Sequence, residues 1–62
     1  MQNIIEQLRK EMGITQAELA RACNVTRQTI NAIENNKYAP TLHLAFALAK
    51  SLNTTVDELF KP

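Results

Sequence analysis

The 62-residue sequence predicts an all-α fold, a compact five-helix bundle, from two interlocking observations. Gly13, Asn24, Asn36 and Asn53 each follow an apolar-periodic run. Glycine and asparagine tolerate the left-handed backbone that closes a helix, so all four read as stops. Each is followed, within two residues or after a short loop, by a threonine able to cap the next helix: Thr15, Thr26, Thr41 and Thr55. Gly13 is the one glycine, and the prolines stand at Pro40 and Pro62, so asparagine has to supply most of the stops. No repeat, low-complexity tract or flexible linker interrupts this order. Residues 1–62 are expected to form one domain, near the lower size limit for folding without staples.

Helix 1 is expected from about Ile4 to Met12, with Asn3 as N-cap and Glu6 completing a capping box. Ile4, Ile5, Leu8 and Met12 share its buried face. Helix 2, about Gln16 to Cys23, begins with a second box, Thr15 and Glu18, and buries Leu19, Ala20 and Cys23. The small Ala20 lets the next helix approach closely. Helix 3 spans about Arg27 to Asn35 after the cap Thr26. Helix 4, about Leu42 to Leu52, buries Ala45, Leu48, Ala49 and Leu52. Helix 5, about Val56 to Phe60, starts with a third box formed by Thr55 and Glu58.

Composition narrows the function classes. The net charge is only +1, so an interaction with nucleic acid has to be argued from placement, and one copy should bind weakly. Cys23, the only cysteine, permits no disulfide within one chain and suits a reducing cytoplasm. It reads as a small apolar residue near a helix end. The start, MQNIIEQLRK, lacks the pattern of a signal peptide. The longest apolar-rich stretch is about 11 residues against the roughly 20 needed to span a bilayer, so no membrane partner is expected. His43 and Cys23 have no metal-ligand spacing, and no glycine-rich phosphate loop exists. His43 reads as solvent-facing. The expectation is a protein that is not an enzyme, with no metal, cofactor or small-molecule ligand.

The outward face of helix 3 carries the chemistry. Ile30 and Ile33 lie about 60° apart and mark its buried side, and Gln28, Asn31, Ala32 and Asn35 point away from it. Arg27 and Thr29 flank this arc at its N-terminal end. Glutamine or asparagine can pair bidentately with adenine, arginine with guanine, and Ala32 could meet a thymine methyl. Ordinary solvated polar residues would look the same on one helix alone. Two features favour base reading. Position N3 of this helix is Thr29 rather than glutamate, so no carboxylate competes with a phosphate at the helix N-terminus. Groups suited to phosphate contacts bracket it: Gln16 before, and Asn36, Lys37 and Tyr38 after. Glu34 lies about 40° from Ile30, near the buried boundary, and is expected to pair inward with Arg9; an unpaired surface glutamate is the alternative.

At these residues the sequence resembles the helix-turn-helix regulators of the phage repressor and Cro type, the xenobiotic-response-element family. The matching pieces are TQAELA, Val25 after the turn and TRQTINAIENNKYAP, with flanks LRKEMGI and TLHLAFALAKSLNTTVDELF. The resemblance covers nearly the whole chain. It implies a lambda repressor-like all-α domain that binds double-stranded operator DNA as a homodimer through helix 3. It places Arg27, Gln28, Asn31 and Ala32 towards bases, with Thr29 as a further contributor. Gln16 and Thr26 fall on phosphates, and Asn36 and Lys37 hold the backbone beyond the helix. Arg9 and Glu34 occupy the positions of the family's structural ion pair. Family members often have glycine where this chain has Asn24 and Asn36, which leaves only the turn's detail in question.

Leu42, Leu44 and Phe46 widen the apolar arc of helix 4, and Phe60 is almost at the chain end. These side chains serve either the core or the symmetric patch of a homodimer. The dimer expected from them runs through helix 5 and its preceding loop, with Leu44, Phe46, Leu59 and Phe60 at the interface. The function expected is a cytoplasmic, sequence-specific transcriptional repressor on a pseudo-palindromic operator. An antitoxin of a toxin–antitoxin pair and a restriction–modification controller of the same fold are the alternatives.

Overall fold

The computed structural model describes residues 2–61; Met1 and Pro62, the second proline counted above, lie outside them. In chain order the elements are β1 (Gln2–Asn3), α1 (Ile5–Met12), α2 (Gln16–Ala22), α3 (Arg27–Glu34), α4 (Leu42–Ser51), α5 (Val56–Leu59) and β2 (Phe60–Lys61). The five helices of the all-α expectation are present.

The four stops share one geometry. Gly13, Asn24, Asn36 and Asn53 adopt φ values of 73°, 59°, 62° and 57°. Each gives its N–H to the carbonyl three residues back, at 3.0–3.2 Å. The next residue reaches five back: Ile14 to Arg9, Val25 to Ala20, Lys37 to Ala32 and Thr54 to Ala49, at 2.9–3.1 Å. This two-bond Schellman closure satisfies carbonyls that a helix end would otherwise leave orphaned. The starts are equally uniform. The hydroxyls of Thr15, Thr26, Thr41 and Thr55 accept from the N–H of Glu18, Thr29, Leu44 and Glu58.

Only the box of α2 is reciprocal, with the Thr15 N–H donating to Glu18 Oε1 at 2.8 Å. In α5 the Glu58 carboxylate instead accepts from the hydroxyls of Thr54 and Thr55, so that box is half-formed. Asn3 does not cap α1: the cap position is Ile4, which offers no side-chain bond. Asn3 lies one residue earlier because it belongs to a strand. β1 pairs antiparallel with β2, Gln2 opposite Lys61 and Asn3 opposite Phe60, and the Ile4 N–H donates to Leu59 O at 3.0 Å. Phe60, expected to be helical, is therefore extended.

The core is built from Ile5, Leu19, Ile30, Ile33, Leu48 and Leu59, all fully buried. Leu44 and Phe60 are each only 8% exposed and belong to the same cluster. That corrects three of the four residues expected at a dimer face. Leu44 faces the core from α4, and Leu59 and Phe60 place their apolar surface inside their own chain as the β1–β2 pairing turns the C-terminus back over the core. Phe46 remains outside at 59% exposure, one helical turn from Leu42 at 71%. Met12, expected inside, is 49% exposed; the turn after α1 brings Ile14 against the core instead.

Candidate nucleic-acid interface

α3 packs chiefly against α2. Ala20 of α2 is almost fully buried in the core, where a side chain with no atoms beyond Cβ takes little room. Between them Cys23, Asn24, Val25 and Thr26 turn the chain, with Val25 packed on the core. α3 turns Ile30 and Ile33 inward and leaves Arg27, Gln28, Asn31 and Asn35 exposed, with Thr29 and Ala32 half-buried. Its first turn contains no acidic residue.

A groove of about 370 Å³ collects Gln28, Thr29, Ala32, Lys37 and Tyr38. Three residues expected at bases thus share one depression with two expected at phosphates. Thr29 is the least free of them: its hydroxyl shares a 3.0 Å bond with that of Thr26, which also caps the helix. The Asn35 amide donates to Asn31 O at 2.8 Å, leaving the Asn31 side chain unencumbered by it. A second recess of about 500 Å³ is lined by Lys10, Thr15, Gln16, Ala17 and Arg27, among others. Lys10 was not singled out from sequence. Its position in the last turn of α1, just before the start of α2, was the available signal.

The Arg9–Glu34 pair is present. Arg9 Nε meets Glu34 Oε2 at 2.9 Å, and the second guanidinium contact, Nη2 to Oε1, is 3.3 Å. Arg9 Nη1 also donates to Ile14 O at 3.0 Å. The two side chains are 9% and 3% exposed. Hydrogen bonding to Glu34 raises the guanidinium's affinity for its proton above the ordinary value, against the opposing effect of burial. Gln16, expected on a phosphate, points its amide the other way: Nε2 donates to Glu34 Oε1 at 2.9 Å. A nearly buried carboxylate with spare lone pairs outcompetes solvent for that donor. Asn36 is exposed, with Oδ1 accepting from Asn3 Nδ2 at 3.3 Å. Lys37 and Tyr38 stand free on the surface beyond α3.

Asn3 was missed as a contributor to this region, because nothing local connects residue 3 with the end of α3. His43 is exposed on α4. Among the described residues, no helix is long and apolar enough to cross a membrane.

The family model described as helix-turn-helix matches residues 5–59. An uncharacterized HTH-type transcriptional regulator of Methanothermobacter thermautotrophicus is 44% identical over 61 residues, covering 97% of this chain and 88% of the relative. The uncharacterized HTH-type transcriptional regulator YgzD of Bacillus subtilis is 37% identical over 60 residues, covering 97% and 91%. Among solved structures, the restriction-modification controller protein C.AhdI from Aeromonas hydrophila superposes with a TM-score of 0.83 at 27% identity, covering 90% of this chain and 85% of that one. The hypothetical transcription factor NHTF from Neisseria gives 0.83 at 28% identity, covering 94% and 67%. With its capped helices, its tight α2–α3 turn and these matches along nearly its whole length, the chain belongs to the helix-turn-helix family of Cro/C1-type DNA-binding transcriptional regulators.

Proposed function

We propose that this protein is a sequence-specific repressor that binds a pseudo-palindromic operator as a homodimer, with α3 in the major groove. The observation that carries the reading is the groove shared by Gln28, Thr29, Ala32, Lys37 and Tyr38. It sets amide and methyl groups suited to base edges beside a cation and a phenol suited to the backbone. Arg27, Gln28, Asn31 and Ala32 read bases, with Thr29 a minor contributor because its hydroxyl is engaged by Thr26. Thr26, Asn36, Lys37 and Tyr38 hold phosphates. Gln16 does so only if its amide leaves Glu34. The partner is duplex DNA in the cytoplasm.

A net charge of +1 supports the dimer, since one copy neutralises few phosphates and gains little from counterion release. Two copies present two α3 helices to half-sites about 34 Å apart. The controller of a restriction–modification system is a second reading of the same chemistry, favoured by the likeness to C.AhdI. Selection of bound sequences from a random duplex pool tests the whole proposal. The expected result is two inverted half-sites at a fixed spacing; a pool that stays random, or a single unrepeated site, would contradict base reading or dimerisation respectively.

A further inference from the structure

The far end of α3 has an anchor that the reading above does not use. Asn3, half-buried in β1, engages both ends of its amide. Its Nδ2 donates to Ile33 O, in the last turn of α3, at 2.9 Å, and to Asn36 Oδ1 at 3.3 Å. Its Oδ1 accepts from the Ile5 N–H at 3.1 Å. One side chain therefore joins the start of α1 to the end of a helix 30 residues later. Its own backbone is fixed in turn by pairing with Phe60 and by the neighbouring Ile4–Leu59 bond.

We infer that Asn3 is a positioning residue for DNA reading. It holds the C-terminal end of α3, with Lys37 and Tyr38 just beyond, at the tilt that lets the outward face meet base edges. The inference rests on the proposed base reading. α3 has no basic side chain in its last turn to engage its final carbonyls. The Ile33 carbonyl instead receives the Asn36 N–H at 3.1 Å and the Asn3 amide. The Arg9–Glu34–Gln16 cluster restrains the helix through a side chain, whereas Asn3 grips the backbone itself. The distinction matters because base-edge hydrogen bonds are lost when donor and acceptor separate by a few tenths of an ångström beyond about 3.2 Å. A short helix free to pivot about its buried isoleucines would keep its phosphate contacts, which tolerate movement, and lose its base contacts, which do not.

Asn3→Asp retains the acceptor for Ile5 while replacing the donor that faces two oxygens, and Asn3→Ser is a milder variant should that one fold poorly. Leu52→Val, a buried change at the C-terminal cap of α4, serves as a comparator for lost stability alone. Each chain is kept below its unfolding transition, as checked by circular dichroism. Affinity is then measured for a duplex selected from a random pool and for a scrambled duplex of the same length. The preference for the selected duplex should fall about tenfold in the Asn3 variants, the factor carried by one hydrogen bond's worth of positioning. Leu52→Val should keep it, and the Lys37 amide should exchange faster in the Asn3 variants alone. Asn3 variants that match the wild-type preference would overturn the inference while leaving base reading intact. A wild-type chain that cannot distinguish the two duplexes would overturn both.

Discussion

Gln28 and Lys37 line one groove, yet an amide and an ammonium meet DNA by different physics. An amide that pairs bidentately with a base edge distinguishes that base from the other three, whereas an ammonium near phosphate is indifferent to sequence. Gln28→Ala should therefore cost about 1–3 kcal/mol on the selected duplex and little on a random one. Lys37→Ala should weaken both similarly and reduce the salt dependence by about one phosphate contact. Titrations of both duplexes across a salt series separate the two outcomes; equal losses for Gln28→Ala would remove it from the base-reading set. Arg9 and Glu34 belong to the same scale but to stability. With both side chains nearly out of water, Arg9→Ala leaves an uncompensated carboxylate and should cost about 3–5 kcal/mol. That is a large share of what a domain this small possesses. The double variant Arg9→Met with Glu34→Leu should recover much of it, because burying neither charge avoids the desolvation penalty. Urea denaturation of the single and double variants decides between them.

At the scale of elements, caps and stops act locally, which is why they could be read from the chain. A threonine before an amphipathic run and a glycine or asparagine after one need no tertiary partner to act, and all four stops and all four threonine caps formed. The α2 box also carries a pH signature. The Glu18 carboxyl is held below its ordinary range by the Thr15 N–H and hydroxyl. A carboxylate whose folded pKa is lowered adds stability above its unfolded value, and that contribution disappears as pH falls through the folded value. Glu18→Gln should accordingly melt below the wild type at neutral pH, with the gap closing under acid conditions, below about pH 4. Melting curves for both chains from neutral to acid pH measure it; a gap independent of pH would mean that the charge contributes nothing. What could not be read from the sequence was non-local. A two-residue strand has no alternation to detect, so β1–β2 left no trace, and with it went the burial of Leu59 and Phe60. The turn of Gln16 towards Glu34 depends on how α2 and α3 pack, which the polarity of Gln16 alone does not reveal.

For the whole molecule, the unanswered apolar surface is that of Leu42 and Phe46. Isolated exposed apolar residues are ordinary, but two on successive turns of one helix form a continuous strip. Core burial of the other expected contacts moves the proposed dimer face to this strip. Phe46→Glu should shift the protein towards monomers in sedimentation equilibrium and weaken operator binding, while leaving the melting temperature of the isolated chain nearly unchanged. A variant that remains as associated as the wild type would place the symmetric contact elsewhere.

The pairing of β1 with β2 also has a kinetic side. It joins residues 2 and 61, so the loop it closes is almost the entire chain, whereas α2 and α3 meet across a turn of four residues from Cys23 to Thr26. Long closures lose more chain entropy and form late, and marginal two-residue pairings open early. Folding should therefore assemble the helix-turn-helix unit first and draw the two ends together last. Asn3 is carried by that final closure. The end of α3 is thus secured by the last piece of the structure to arrive and the first to come loose.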